Sequence, residues 1–308
     1  MSVTQEPAAE TERRGERVAL AAFVTYSVLG GGNAVCIRFS NRELAPLWGA
    51  GLRFASAAVL LLAVVVVLRQ QLPHGQALIG VLLYGALTFG GAFALAYYAF
   101  VRIPAGFGQV VLAIVPLATL LLAVVWRQER LGAAALAGCL LSLFGIAVMS
   151  QTPLRESLPL PSLLAAIGSV LCFAQGAVLV RRFPPIHPVT MNAVGMAFGA
   201  VLLLAGSAIA GEHLTLPSQA ETWLAVGYLV VVGSGVVFVS YLVVLRYWTA
   251  SRAAYGFVIT PLVTVLLSAW LDDERLSAGL VLGALLVLAG VYVGALRPAR
   301  SRSSSRSV

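Results

Sequence analysis

Apolar runs of about twenty residues follow one another along nearly the whole chain, broken by short connections that carry arginine, glycine and proline. A bilayer core of about 30 Å is crossed by about 20 apolar residues in helix. That ruler marks ten spans, roughly 18–38, 46–68, 77–99, 105–126, 131–150, 161–181, 188–210, 221–245, 253–271 and 277–296. Lipid offers no partner to backbone groups, so each run is expected to satisfy its own hydrogen bonds as a helix. The polar residues 1–17 and the Ser/Arg-rich residues 297–308 read as disordered tails. The first apolar run is too long for a cleaved leader and ends in Arg38 without a small-residue cleavage site, so it reads as a retained helix.

Composition changes the picture from two soluble domains to one membrane-embedded chain. Of 308 residues, 60% are hydrophobic and 10% charged, against about 25% charged in soluble domains. The fold class expected is therefore an all-α integral membrane protein in a lipid bilayer. The net charge of +8 comes with no lysine, all 20 basic residues being arginine. Nucleic-acid binding would need a basic face on a soluble fold, whereas these arginines are scattered between apolar runs and suit headgroup anchoring. Fourteen of them fall on the side that holds the N-terminus and five on the other, with Arg53 inside a helix. By the arginine bias both termini face the cytoplasm. Cys36, Cys139 and Cys172 lie in apolar runs without a C-x-x-C pair, which indicates neither a disulfide framework nor a metal site.

The two halves repeat. Ile114 to Met149 set against Ile259 to Gly294 gives 16 identities in 36 ungapped positions. The rarer residues carry the match: Pro116 with Pro261, and Glu129-Arg130-Leu131 with Glu274-Arg275-Leu276 at the same spacing. Upstream, Tyr84, Gly91, Tyr97 and Arg102 match Tyr228, Gly235, Tyr241 and Arg246, and the run AVLLLA after Pro46 recurs after Pro188. Five helices per half, an odd number, make equivalent helices cross in opposite directions. Two inverted five-helix repeats, 18–150 and 161–296, are thus expected, an architecture by which many secondary transporters alternate access around a midplane site.

These pieces resemble the EamA branch of the drug/metabolite transporter superfamily. The resemblance is carried by GGGNAVCIRF at the end of the first span, by Pro46 and Leu52-Arg53-Phe54 in the second, and by the stretch from Gly85 through Ala99 with Pro116 and Glu129-Arg130. It implies ten helices in two halves and export of small metabolites, often amino acids or amphipathic compounds, across the cytoplasmic membrane. The chain departs from the family pattern at Arg38, where lysine is common, and at Gly195, the second-half partner of Arg53.

Candidate working residues emerge from helical spacing and from the cost of polar groups in lipid. Tyr84, Thr88, Gly91, Leu95 and Tyr98 fall on one face of the third helix and are expected to line a central cavity with Asn33, Gln109 and Gln175. Ser234, Tyr241 and Tyr255 would form the opposite wall. Gly31, within Gly30-Gly31-Gly32, is either a site of unwinding or one of close helix packing. Pro116 and Pro261 would interrupt the fourth and ninth helices and free the carbonyls of Leu112 and Phe257, as kinks or gates. Arg53, about 10 Å into the second helix at about 1.5 Å per residue, either snorkels to the interface or meets a substrate carboxylate.

Apart from Glu221 at the first position of the eighth span, no histidine, aspartate or glutamate lies within a span, so no proton-coupling group is visible deep in the membrane. No Walker loop is present, and no cofactor is indicated. A small-molecule solute is the expected partner, moved by alternating access. The rival is a membrane enzyme or a lipid-modifying or lipid-flipping protein, but the catalytic set an enzyme would need near one interface is not found. Reporter fusions test the orientation: a junction after Leu154 is expected to report the outer side and one after Arg300 the cytoplasmic side. An outer signal at the second junction contradicts the assignment.

Overall fold

The computed structural model describes residues 6–102, 111–112, 114–130, 132–149, 159–271 and 278–296, and among these residues the regular structure is all helical. In chain order the helices are α1 (Glu6–Ser40), α2 (Pro46–Val67), α3 (Gly75–Arg102), α4 (Val115–Val125), α5 (Ala133–Met149), α6 (Leu160–Val180), α7 (Pro188–Ile209), α8 (Ala220–Tyr247), α9 (Gly256–Leu271) and α10 (Ala278–Val291). A short helix, Ala250–Ala254, leads into α9. Among the described residues six helices are long and apolar enough to cross a membrane: α1 over Arg13–Ser40, α2, α3, α6, α7 and α8. The remaining four are apolar and shorter, at 11, 17, 16 and 14 residues.

Three features differ from the sequence expectation. First, α1 begins at Glu6, inside the segment expected to be disordered. Its Glu16 carboxylate accepts a hydrogen bond from the Trp248 indole at 3.0 Å and pairs with Arg252 at 2.7 Å, which ties this extension to the second half. Second, Pro116 does not lie inside a continuous helix: residues 111–112 are helical and Ile114 forms a turn before α4. It stands in the first turn of α4, after a turn at Ile114, where a missing backbone N–H forfeits no intrahelical bond. Pro261 does lie inside α9, so the two matched prolines do different local work. Third, α3 and α8 are not uniform α-helices. Gly85–Ala92 and Leu229–Val236 are eight-residue π-helical segments separated by 144 positions, the same offset that relates Tyr84 to Tyr228. A wider turn shifts the phase of every residue after it.

The halves interlock rather than sit side by side. The largest packing surfaces are α2 on α7 and α5 on α10, each a pair of equivalents by sequence; α1 packs on α8 and α9, while α6 packs on α3 and α4. Lipid supplies little drive for helix association, so close approach through small residues has to. A Cβ at Gly138 of α5 would meet the Gly294 Cα at 2.6 Å and the Gly290 carbonyl at 2.7 Å. A Cβ at Gly85 would come within 2.4 Å of the Gly195 carbonyl, so α3 touches α7 backbone to backbone.

Both ends of the bundle are tied across the halves. At the end away from the N-terminus the tie is reciprocal capping. The first-turn amides of α2, Leu47 and Trp48, donate to the Glu212 carboxylate at 3.2 and 2.8 Å, and the Trp48 indole donates to the Thr215 carbonyl at 2.6 Å. In return Glu43 accepts from the Ser218 and Gln219 amides, at 3.3 and 3.2 Å, and from the Ser218 hydroxyl, at the start of α8. Each carboxylate fills the orphan donors and meets the positive end of the opposite half's helix. At the other end, Glu129 accepts from the Ser251 amide and hydroxyl, Gln128 donates to the Val178 carbonyl at 2.9 Å, and Arg182 donates to the Trp126 carbonyl at 2.9 Å.

Hydrogen bonds from Ser218, then Thr222, hold the exposed Glu43 carboxyl below the usual carboxylate range. A folded-state value that is depressed stabilises the fold above the unfolded value, near 4.5, and the contribution is lost as pH falls through the folded value. The melting temperature of the purified protein is therefore expected to drop on acidification below that point. Glu43→Gln is expected to flatten this acid limb. An identical acid limb in the variant contradicts the capping role.

Candidate functional site

A cavity of about 100 Å³ lies inside the bundle. Its walls come from equivalent elements of both halves: Tyr26, Asn33 and Ile37 of α1, Phe93 and Ala96 of α3, and Val115 of α4 on one side; Ser169 and Phe173 of α6, Phe238 and Tyr241 of α8, and Phe257 and Thr260 of α9 on the other. A depression of about 420 Å³ beside Arg181 and Arg246 is larger, but residues 180–246 alone form it, so it does not lie between the halves.

The lining is an aromatic box. Phe173 and Phe257 meet edge to face at 4.7 Å, Phe93 and Phe238 at 5.8 Å, and Tyr26 and Tyr241 at 5.5 Å. Offset and edge-on contacts of this kind hold rings rigid. The Tyr26 hydroxyl donates to the Ala253 carbonyl, which fixes α1 against the short helix before α9. The Tyr241 hydroxyl and the Asn33 carbonyl oxygen, both belonging to wall residues, have no hydrogen-bond partner among the described residues. Buried polar atoms are ordinarily paired, so two unsatisfied polar groups belong to residues of the box.

Of the residues that helical spacing selected, Asn33 and Tyr241 line this cavity. Tyr84 and Thr88 are buried near it without lining it: Tyr84 meets Phe89 edge to face at 5.4 Å, and Thr88 packs where a Cβ at Gly176 would be 2.4 Å from its hydroxyl. Ser234 accepts a hydrogen bond from Arg53 Nε at 2.9 Å. Gln175 accepts from the Trp126 indole at 3.2 Å, which joins α6 to the end of α4. Tyr255 donates to the Ala135 carbonyl at 2.7 Å and lies 3.1 Å from Cys139 Sγ, so it joins the start of α9 to α5. Gly31 lies within continuous helix, not an unwound one; a Cβ there would meet Val263 at 2.6 Å, and its carbonyl accepts from Thr264 at 2.8 Å. Gln109 lies outside the described residues.

Tyr98 points away from the cavity and is 50% exposed, whereas Tyr97 beside it is 0% exposed. The cause is the π-helical segment between Tyr84 and these residues. A stripe drawn at 3.6 residues per turn loses phase across it, which carries Tyr98 off the inner face while Ala96 and Phe100 line the cavity. The repeat held the signal, since Tyr97 and not Tyr98 is the counterpart of Tyr241. Spacing also passed over Tyr26 and the four phenylalanines, which look like ordinary apolar residues within a span.

Arg53 is 0% exposed and does not snorkel. Its guanidinium carbon sits 4.9 Å from the Phe54 ring centre and 5.1 Å from that of Phe93. Nε is bonded to Ser234, and neither Nη1 nor Nη2 has a partner among the described residues. A Cβ at Gly233 would lie 2.1 Å from the Asn33 Oδ1 and 3.1 Å from Arg53 Nη2, so the Asn33 amide and this guanidinium converge on Gly233.

Comparison with known proteins agrees with this arrangement. The model of the EamA-like transporter family matches twice, over residues 17–151 and 160–295. The uncharacterized inner membrane transporter YedA of Escherichia coli (strain K12) is 30% identical over 293 residues, covering 90% of this chain and 92% of that protein. A probable amino-acid metabolite efflux pump of the same strain is 28% identical over 278 residues, covering 86% and 91%. A protein of known crystal structure superposes with a TM-score of 0.74 at 21% identity, over 92% of this chain and 98% of that one, a likeness of fold. Two matching copies that together take in nearly all the helices, interlocked around one cavity, make the conclusion direct: the chain belongs to the EamA-like transporter family.

Proposed function

We propose that the protein is a secondary transporter that exports small organic metabolites across the cytoplasmic membrane by alternating access. In this reading α1–α10 are ten crossings, arranged as two five-helix repeats of opposite orientation, roughly 18–150 and 161–296, with both termini in the cytoplasm. The observation that carries it is the cavity, walled by equivalent helices of the two halves and framed at both ends by cross-half ties. A solute held between two rocking halves needs such ties, which can break at one end while those at the other persist. The four cross-half bonds of Glu43 and Glu212 to helix N-termini suit that use, because at 2.8–3.3 Å and in exposed or partly buried positions they can exchange with water. The probable efflux pump of Escherichia coli supports amino-acid-like compounds as the solute class. A largely aromatic wall suits an apolar or amphipathic body.

Flux in sealed vesicles that contain the purified protein tests this reading. Ala96→Trp places an indole in a cavity of about 100 Å³ and is expected to cut solute flux about tenfold or more, with normal membrane insertion. Tyr98→Ala, on the outer surface, is expected to leave flux within about twofold of wild type, as surface changes typically alter little. Equal flux in the Ala96 variant and the wild type contradicts the cavity as the pathway.

A further inference from the structure

We propose that Arg53, with Asn33 beside it, is a binding subsite for the carboxylate of a transported solute whose apolar body occupies the aromatic box. The inference deepens the transport reading and rests on it. It starts from a charge that the fold does not satisfy. An arginine inside a membrane helix is costly, and such residues pair, hydrogen-bond or face a pathway. Arg53 Nε donates to Ser234 and the buried Tyr97 hydroxyl stands beside the guanidinium, but Nη1 and Nη2 are buried and make no hydrogen bond of ordinary geometry among the described residues, and no carboxylate pairs with it there. The Phe54 and Phe93 rings stack near the guanidinium but supply no hydrogen-bond acceptor in its plane.

Three further observations point to a ligand rather than to a structural charge. Phe93 belongs both to the guanidinium's surroundings and to the cavity wall, and Asn33 is a wall residue that meets Arg53 at Gly233. The site is also one-sided. Ser234 lies in the π-helical segment of α8, against α2. At the equivalent place in the other half, Gly195 of α7, which has no side chain, lies against Gly85 in the π-helical segment of α3, where a Cβ on Gly85 would come within 2.4 Å of the Gly195 carbonyl. A duplicated fold that needed arginine for packing would accommodate it twice. Finally, a guanidinium with two unpartnered NH2 groups can present a parallel pair of N–H bonds to the two oxygens of a planar carboxylate. One cation balances one negative charge, which favours a monoanion over a phosphorylated solute.

Equilibrium binding to the purified full chain tests the subsite without requiring transport. Matched probes share a body and differ only at its end: 4-methylpentanoate against 4-methylpentanamide, and 3-phenylpropanoate against 3-phenylpropanamide, at neutral pH. Charge-assisted hydrogen bonds predict that the acids bind about tenfold or more tightly than the amides. Arg53→Gln is expected to erase that preference and Arg53→Lys to retain part of it. The wild-type comparison stands by itself if a variant fails to fold. Equal binding of acid and amide, no binding of either acid, or preference undiminished in Arg53→Gln overturns the subsite. Flux is scored separately. Acid-selective binding with no flux in vesicles keeps the subsite and refutes transport; flux without acid preference refutes the subsite alone.

Discussion

The phase of two helices governs the centre of this protein. Eight π-helical residues in α3 and eight in α8 widen the turn at equivalent places, and the C-terminal part of each helix is rotated relative to an unbroken α-helix. That rotation brings Tyr97 and Tyr241 inward and sets Phe93 against Phe238 across the cavity. The segments themselves are glycine-rich and lie against the opposite half's second helix, Gly85 on Gly195 and Ser234 on Arg53. With an α-helical register in either place, the box would lose a wall and the guanidinium its one bonded acceptor.

A membrane protein cannot rely on water to drive its helices together, and the contacts show which forces replace that drive. Backbones approach at Gly138 with Gly294 and at Gly85 with Gly195, so dispersion acts at short range over long seams. Polar groups do the rest at the bundle ends, where each half caps or braces helices of the other. The division is a physical one. The seams are apolar and closely packed, while the end ties are exposed or partly buried, largely charge-assisted and individually weak.

The architecture was largely legible in the sequence because hydrophobic length and duplication survive any local irregularity. Pro116 with Pro261 and Glu129-Arg130 with Glu274-Arg275 mark the repeat, and the family match falls on both copies. The site was less legible, for identifiable reasons. Tyr98 was selected by a period that the π-helix breaks, although the 144-residue offset already favoured Tyr97. Gln175 was selected because an amide is costly in lipid, but the Trp126 indole satisfies it. Glu43 and Glu212 lie in connections, and only the folded chain shows that each caps a helix from the other half. Phenylalanine carries no signature that separates a cavity wall from a core.

The central claim is that the cavity between the halves is open to each side of the membrane in turn. Labelling measures that most directly. In a variant with Cys36, Cys139 and Cys172 replaced, a single cysteine at Ser169 is offered a membrane-impermeant maleimide from either side of sealed vesicles. The account predicts reaction from both sides, with solute changing the ratio of the two rates. Reaction from one side only under every condition, or from neither, contradicts it.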